Sequence, residues 1–124
     1  MTVNDPDSSP LIGFVGPCAS GKSTITKALE ARGYRTRHIA QEHSYVKDMW
    51  QRLTNPDILI FLQASYPTTL ARRNLNWKEK DYEEQQRRLS HARKHADLYI
   101  ETDDLSVEET LQQILAFVEA QKSS

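Results

Sequence analysis

The sequence predicts an α/β fold, a three-layer α/β/α sandwich built around a small parallel sheet of about four strands. Two continuous apolar runs, at 11–15 and 58–62, are typical of strands that are buried on both faces. Weaker strand-like stretches at 35–40 and 98–100 alternate with stretches of helical periodicity. Strands and helices that alternate within one short chain indicate βαβ units, in which the strands run parallel.

The first half of the chain is expected to form a buried strand, a helix, an edge strand and a second helix. Their ranges are, in this order, 11–15, 23–32, 35–40 and 42–53. Gly33 fits the position after the first helix, where a left-handed residue often ends a helix. The second helix rests on the spacing of Tyr45, Met49 and Leu53, which lie four residues apart, and Pro56 follows its end.

The second half is expected to form a buried strand, a short helix, a loop, a charged helix, a short strand and a final amphipathic helix. Their ranges are, in this order, 58–62, 67–75, 74–81, 82–96, 98–100 and 107–118. Ser106 and Glu109 form a capping box, in which each side chain bonds the backbone N–H of the other residue. This pair therefore predicts the start of the final helix.

Length and composition exclude several classes of protein. With 124 residues, 38% of them hydrophobic and 27% charged, the chain is expected to be one domain at 11–124 after a flexible leader at 1–10. No apolar run approaches the roughly 20 residues that cross a bilayer, and no secretory signal is visible. The single cysteine favours a reducing, cytoplasmic location. The net charge of −1 argues against a general nucleic-acid binder.

Charge is distributed unevenly along the chain. Residues 72–96 hold 8 basic and 4 acidic residues, for a net charge of +4. Residues 97–124 hold 1 basic and 7 acidic residues, for a net charge of −6. Two solvated faces are the usual explanation of such blocks.

Residues 16–23, Gly-Pro-Cys-Ala-Ser-Gly-Lys-Ser, match the pattern G-x-x-x-x-G-K-[ST]. A polyphosphate needs several N–H donors on one small concave surface, and only a glycine-rich turn lets the backbone approach that closely. The turn opens into a helix, whose N-terminal N–H groups also favour an anion. A chance match is expected roughly once in two hundred chains of this length. The pattern, placed between a buried strand and an amphipathic helix, therefore indicates a nucleotide site.

Each residue type in this loop has an expected role. Lys22 supplies a mobile positive charge for the β- and γ-phosphates, and the hydroxyl of Ser23 can ligate Mg²⁺, with Thr24 behind it. The other expected phosphate contacts are Gly16, Ala19, Ser20 and Gly21. ATP and Mg²⁺ are the expected cofactors, and ATP is favoured over GTP because no N-K-x-D or T-K-x-D tetrapeptide is present.

The segment LIGFVGPCASGKST resembles the start of a P-loop NTPase, and the rest resembles the small P-loop kinases of nucleosides, nucleotides, shikimate and adenylylsulfate. PDILIFLQASYPTTLARR is similar to the strand and helix before the lid of nucleoside and thymidylate kinases. ADLYIETDDLSVEETLQQIL is similar to their last strand and closing helix. The resemblance covers residues 11–40 and 56–118. It implies the P-loop containing nucleoside triphosphate hydrolase fold, with a lid at about 72–96.

The resemblance also implies arginine residues that neutralise charge as the γ-phosphoryl group moves. Arg72 or Arg73 falls near the arginine that opens the lid in this family. Further candidates on the helix after the loop are Arg87, Arg88 and Arg93. Residues 102–105, which include Asp103, fall where the family often packs against the base.

Three features depart from the family pattern, and one of them is that the lid lacks a clear R-x-x-x-R-x-R cluster before its helix. Gln63 ends the strand at 58–62, where an acidic residue would help to hold Mg²⁺. Only about 17 residues, 41–57, separate two strands where the family carries an acceptor-binding subdomain. Glu42 can replace the missing carboxylate, as a base or by holding metal-bound water, if its loop lies beside the phosphate loop.

Three further places each have two interpretations. His43, beside Glu42, could contact an acceptor or be an ordinary surface residue. Trp77 could stack on a base or pack against the basic helix. His91 and His95 lie four residues apart, as a metal pair does, but a solvated helix face is the more frequent arrangement.

The sequence therefore leads to two hypotheses of function. The first is an ATP-binding, kinase-like phosphotransferase that moves the γ-phosphoryl group to an unidentified small molecule. The alternative is a nucleotide-binding module, or a slow NTPase, that acts through a partner or a homo-oligomer. A carboxylate near the phosphates favours the first, and its absence favours the second.

Overall fold

In a computed structural model of the chain, four parallel strands form one sheet in the order β2-β1-β3-β4. The structure describes residues 9–73 and 77–123. The strands are β1 (Leu11–Val15), β2 (Arg35–His38), β3 (Ile58–Gln63) and β4 (Leu98–Glu101). The predicted α/β class, the parallel sheet and its four strands are thereby confirmed, including the edge position of β2.

Five α-helices connect or follow the strands in the described ranges. They are α1 (Lys22–Glu30), α2 (Tyr66–Arg73), α3 (Glu79–Arg88), α4 (Ser90–His95) and α5 (Val107–Ser123). The predicted capping box before α5 is present, because Ser106 N–H donates to Glu109 Oε1 at 2.9 Å and Glu109 N–H donates to Ser106 Oγ at 3.0 Å. Of the predicted leader and loop, residues 1–8 and 74–76 lie outside the described residues.

The helix predicted at 42–53 is wrong. The chain forms a 3₁₀ turn at Gln41–His43 and a five-residue π-helical segment at Trp50–Thr54. The side chain of Gln41 bonds both the carbonyl oxygen of Val46 and the N–H of Trp50. In an α-helix the N–H of Trp50 would donate to the carbonyl oxygen of Val46, but here both groups bond the side chain of Gln41.

The single helix predicted at 82–96 is also wrong, because the chain turns at Leu89 between α3 and α4. Leu89 and Ala92 are both fully buried, and they belong to the same apolar cluster as Phe61 of β3. The turn lets Leu89 itself and Ala92 of α4 reach that face of the sheet.

Apolar clusters cover both faces of the sheet. On one face, Ile12, Phe14 and Ile60 pack with side chains of α1 and α5. On the other, Val15 and Phe61 pack with the π-helical segment and with residues around α4. Helical layers on both faces are compatible with a three-layer sandwich. Every helix in the described ranges is too short or too polar to cross a membrane.

The topology decides where a ligand can bind. Since all strands are parallel, the loops that follow them meet at one edge of the sheet. The chain passes from β1 to β2 on one side of β1, and β3 then lies on the other side. In open parallel sheets, ligands bind in the crevice at the carboxyl ends of the strands where the direction of winding reverses. The loop after β1 lies at this point.

Candidate functional site

The turn between β1 and α1 forms a glycine loop, which we define as residues 16–23. Gly16 has φ +153°, and a Cβ there would collide with the carbonyl oxygen of Leu62 in β3. A glycine is therefore required for the loop to lie so close to the neighbouring strand. Ala19 and Gly21 also have positive φ, of 64° and 103°. These conformations bring the N-terminus of α1, whose first N–H groups have no partner within the helix, to the edge of the sheet.

Lys22, the first residue of α1, is buried beneath the glycine loop. Its ammonium group donates to the carbonyl oxygens of Gly16 and of Pro17, the latter at 3.2 Å. It also forms an ion pair with Glu42, with 2.8 Å between Nζ and Oε2, and both side chains are only 4% exposed. The other carboxylate oxygen, Glu42 Oε1, is buried and has no hydrogen-bond partner in the described ranges. Because buried polar atoms are usually paired, this oxygen is a candidate to bind a ligand.

The residue before Glu42 fixes the turn that carries it. Gln41 is fully buried, and its amide group donates to the carbonyl oxygens of Val46 at 2.8 Å and Arg88 at 3.3 Å. Its Oε1 accepts a hydrogen bond from the N–H of Trp50 at 2.8 Å. These bonds attach the 3₁₀ turn to α3. Sequence reasoning missed Gln41, since a buried glutamine in a loop leaves no periodic signal.

The thiol of Cys18 lies beside the same carboxylate. Its Sγ is 3.8 Å from Nε2 of His43, and that nitrogen is 3.8 Å from Oε2 of Glu42. Gln85 of α3 binds Cys18 at two points, because its Oε1 accepts from the N–H at 3.0 Å and its Nε2 donates to Sγ at 3.2 Å. The sulfur, nitrogen and oxygen atoms lie within 4.8 Å of one another. The sequence did not predict this cluster, because Cys18 lies far from the other two residues along the chain.

A cleft of about 300 Å³, which we call the loop cleft, opens beside the glycine loop. Eight of the expected site residues line it, namely Ala19, Ser20, Gly21, Lys22, Ser23, Thr24, Glu42 and Arg72. His43, for which contact with an acceptor was one of two interpretations, also lines it, together with Cys18 and His38. The structure thus brings together the loop, a carboxylate and one arginine in a volume typical of small-molecule sites.

A second cleft of about 350 Å³, which we call the side cleft, adjoins the first. Ser20, Gly21, Thr24 and Arg72 line both clefts. The side cleft is otherwise lined by Ile25, Thr102, Leu105, Ser106, Val107 and Thr110. Its aliphatic side chains give it a less polar character than the loop cleft. The stretch 102–105, predicted to contact a base, contributes two of these residues.

Arg72 connects the glycine loop to the end of β4. Its guanidinium group donates to the carbonyl oxygen of Ala19 at 3.2 Å, to the hydroxyl of Thr102 at 2.9 Å and to the carbonyl oxygen of Thr102. Arg72 therefore separates the two clefts and contacts both. The side chain of Arg73 lies outside the described part of the chain.

The other predicted arginines lie on α3 and α4, where Arg87 is exposed and pairs with Glu84, while Arg88 and Arg93 each contact an aromatic ring. Arg88 donates to the carbonyl oxygen of Glu42 at 3.4 Å, and its guanidinium lies 4.2 Å from the centre of the Tyr45 ring. Arg93 lies 5.1 Å from the centre of the Phe61 ring. Neither arginine lines either cleft in the described ranges. Arg88 thus contacts the turn that carries the carboxylate, and Arg93 donates a hydrogen bond to Gln86.

Asp103, which was expected to contact a nucleotide, binds the start of α2. Its Oδ1 accepts a hydrogen bond from the N–H of Ser65 at 2.9 Å. Burial alone would raise the pKa of Asp103, but hydrogen bonds with Ser65 and Thr68 hold that pKa below its ordinary value. Asp103 lines neither cleft in the described ranges.

Gln63 at the end of β3 pairs with Gln86 of α3. Each side-chain amide donates to the other, at 2.9 Å and 3.0 Å. This position therefore carries a neutral amide pair where an acidic residue was sought. The carboxylate in the loop cleft comes from Glu42, after β2, which is the substitute that the sequence suggested.

The aromatic and histidine candidates are held by intramolecular contacts. Trp77 packs against Tyr66 and Tyr82, with ring centres 6.4 Å and 6.1 Å apart. The rings of His91 and His95 stack with centres 4.3 Å apart. Of the two interpretations offered for Trp77, the structure shows the packing one.

Comparisons with known proteins add no assignment: no family model matches the chain, and no curated protein matches it in sequence. The function is therefore argued from the geometry of the two clefts.

Proposed function

We propose that the chain is an ATP-binding P-loop protein that acts as a small kinase-like phosphotransferase, with the loop cleft as its phosphate site. The observation that supports this best is the buried Lys22–Glu42 pair, which joins a cation and a carboxylate at the N-terminus of α1. Catalysis of phosphoryl transfer depends mainly on positioning and on neutralising charge. A cation and a carboxylate beside the N-terminal N–H groups of a helix are the parts that this chemistry requires.

The contacts of Lys22 support a phosphate-binding role. Its ammonium group donates to two backbone carbonyls and one carboxylate, which are all oxygen acceptors. Phosphate oxygens are acceptors of the same kind and carry more negative charge than a carbonyl. Backbone N–H groups at the start of α1 and the helix dipole favour the same anion.

The donor set of the loop cleft fits Mg²⁺. Mg²⁺ prefers oxygen ligands and keeps several of its waters. The hydroxyl of Ser23 and the unpartnered Oε1 of Glu42 are oxygen atoms of residues that line the cleft. Ser23 would bind the ion directly and Glu42 would hold one of its waters. The ion supplies charge neutralisation of the β- and γ-phosphates.

The side cleft supports binding of a nucleoside. It adjoins the loop cleft across Arg72, and the aliphatic side chains of Ile25, Leu105 and Val107 give it surfaces on which a base can pack. Thr102 provides a hydroxyl at the same place. Arg72, at the boundary, is positioned to neutralise charge on the phosphates.

Glu42 also provides the proton acceptor. Its Oε1 is not engaged by a described residue, while its Oε2 is held by Lys22. A hydroxyl nucleophile that enters the loop cleft would donate its proton towards Oε1. His43, which is 60% exposed at the mouth of the cleft, would contact the acceptor.

A second candidate function is a nucleotide-binding module, or a slow NTPase, that acts through a partner. The amide pair of Gln63 and Gln86 favours it, because no carboxylate ends β3 to help hold a metal ion. The two functions share the nucleotide site and differ in turnover.

Calorimetric titration with ATP, ADP, AMP and GTP, with and without Mg²⁺, tests the shared site. Lys22→Met removes a charge-assisted contact worth about 1.5–3 kcal/mol, so ATP affinity should fall by about 10- to 150-fold. Lys27→Met, an exposed lysine on the same helix, is the matched control and should leave affinity unchanged. Ser23→Ala leaves the buried ion pair intact and should abolish the gain in affinity from Mg²⁺. If wild type and all three variants bind ATP equally, the assignment is wrong.

Formation of ADP by wild type and Glu42→Gln then separates the two functions. Transfer or hydrolysis that falls about 100-fold in the variant, with ATP affinity retained, supports a catalytic carboxylate. A second site for AMP or a nucleoside supports the phosphotransferase. If the wild type binds ATP at one site and forms no ADP, the binding module is the function.

A further inference from the structure

Cys18, Glu42 and His43 have the spacing of a metal site. Cys18 Sγ and Glu42 Oε2 each lie 3.8 Å from His43 Nε2, and one ligand atom of each of the three residues lies within 4.8 Å of the others. Bonds to Zn²⁺ of about 2.0–2.3 Å at tetrahedral angles place neighbouring ligand atoms about 3.4–3.6 Å apart. The two separations that include His43 exceed this range by about 0.2–0.4 Å, and the sulfur–oxygen separation exceeds it by at most about 1.4 Å, so side-chain rotations would bring these atoms to coordination distance.

The ligand types select a particular class of ion. Thiolate and imidazole groups favour Zn²⁺ and its relatives, whereas Mg²⁺ takes oxygen ligands. A thiolate and a carboxylate together cancel the charge of a divalent ion, which limits its repulsion of the nearby Lys22. On binding, the thiol of Cys18 gives its proton to solvent and forms a sulfur–metal bond.

Two features support this cluster as a metal-binding site. Glu42 is 3% exposed, and its Oε1 has no partner in the described ranges although it belongs to a residue that lines the cleft. The amide of Gln85 donates to Sγ of Cys18 at 3.2 Å and so orients the sulfur. Hydrogen bonds to metal ligands of this kind fix their orientation. His43 is 60% exposed, which leaves a path for an ion to enter.

We propose that Cys18, Glu42 and His43 bind a thiophilic divalent metal ion of the Zn²⁺ type, and that this ion inhibits the nucleotide site. The three protein ligands leave a fourth tetrahedral position open to water.

The inhibition follows from shared residues and rests on the proposed function. Glu42 is the partner of Lys22 and also a ligand of the ion. A bound ion would therefore prevent Glu42 from acting beside the phosphates. The ion and the phosphates would also occupy the same cleft. Zn²⁺ and Mg²⁺–ATP should therefore exclude each other.

Titration of the reduced, nucleotide-free chain with Co²⁺ tests the metal site independently of the proposed function. Cobalt bound to a thiolate gives a near-ultraviolet charge-transfer band, and Cys18 is the only cysteine in the sequence. The wild type should show this band, and Zn²⁺ should displace Co²⁺ and remove it. Cys18→Ser should abolish the band, and His43→Gln should weaken Co²⁺ affinity by at least about tenfold. Thermal melting of each variant confirms that it is folded.

His95→Gln is the matched control, because His95 is an exposed histidine that stacks on His91 and does not line the loop cleft. It should leave the band and the affinity unchanged. The proposal is overturned if the folded wild type shows no thiolate band at a large excess of Co²⁺. It is equally overturned if the band survives His43→Gln at full affinity, or is lost in His95→Gln.

ATP affinity, measured with and without Zn²⁺ for wild type and Cys18→Ser, tests the inhibition. Free Zn²⁺ binds ATP equally in both samples, so only the difference between the two proteins reports on the site. Zn²⁺ should lower the affinity of the wild type at least about tenfold more than that of Cys18→Ser. An equal effect on both overturns the inhibition. Absence of ATP binding in Zn²⁺-free buffer that contains Mg²⁺ would instead refute the proposed nucleotide function, and the Co²⁺ result would stand.

Discussion

Replacing Lys22 by methionine should destabilise the folded chain by about 3–5 kcal/mol, because it leaves the carboxylate of Glu42 buried without its cation. Lys22 Nζ and Glu42 Oε2 are 2.8 Å apart, and each side chain is only 4% exposed. Water can therefore solvate the remaining carboxylate only weakly once the lysine is removed. Glu42→Gln should cost only about 1–2 kcal/mol, since Lys22 keeps the carbonyl oxygens of Gly16 and Pro17 and an amide oxygen can still accept. The loss of unfolding free energy in the double variant should be smaller than the sum of the two single losses by at least about 2 kcal/mol.

Equilibrium unfolding in urea at neutral pH measures the free energy of unfolding of the wild type, the two single variants and the double variant. A domain of this length has a free energy of unfolding of roughly 6–18 kcal/mol, so a loss of this size is resolvable. Lys27→Met, on the exposed face of α1, is the control and should change stability by less than about 0.5 kcal/mol. Single effects that add to within about 0.5 kcal/mol in the double variant would refute the interpretation of Lys22 and Glu42 as a coupled buried pair.

Two further predictions concern the loop and the histidine pair. Gly16→Ala should lower the free energy of unfolding in urea by at least about 2 kcal/mol, because the added Cβ would collide with β3. Gly33 has φ +90° and open space around it, so Gly33→Ala should cost only about 1–2 kcal/mol of backbone strain. Equal costs would contradict the close approach of the loop. The pKa of His91 is lowered from 6.5 by burial and by His95, so the folded chain binds fewer protons there than the unfolded chain and stability should fall as pH drops below about 6.5. His91→Gln, which also removes the acceptor for Trp50 Nε1, should show a smaller loss of stability from about pH 7.5 to about pH 5, and an identical pH dependence would contradict this account.

The elements that the sequence predicted well are those with a strong local signal. Apolar runs in β1 and β3, the glycine pattern and the capping box before α5 each place several informative residues within a few positions, and each occurs where expected. The segment after β2 has no such signal. Its conformation depends on Gln41, whose bonds to Val46, Trp50 and Arg88 join parts of the chain that are up to 47 residues apart. The four-residue spacing of Tyr45, Met49 and Leu53 was therefore misleading, and two of these side chains, Tyr45 and Leu53, are exposed at 86% and 78%.

The candidate site was predictable in part for the same reason. The loop residues follow from one contiguous motif, while Glu42 could only be named as a substitute for the carboxylate missing at Gln63. Glu42 lies beside Lys22 only because of the 3₁₀ turn at Gln41–His43, which the sequence did not predict. Gln85 and the cluster of Cys18 and His43 depend on the packing of α3 against the loop, which a single sequence does not encode in any spacing.

This packing also determines how the basic block at 72–96 can serve the phosphate site. If α3 opened as a lid, it would break the two contacts of Gln85 with Cys18, the amide pair of Gln63 and Gln86, and the bond from Gln41 to the carbonyl oxygen of Arg88. The last of these holds the turn that carries the carboxylate, so opening would also displace the partner of Lys22. Positive charge over the phosphates is therefore supplied most directly by Arg72, which already lines both clefts from α2. We therefore infer that α3 supports the proposed phosphate site, and two of its arginines, Arg87 and Arg88, form ion pairs with Glu84 within the helix.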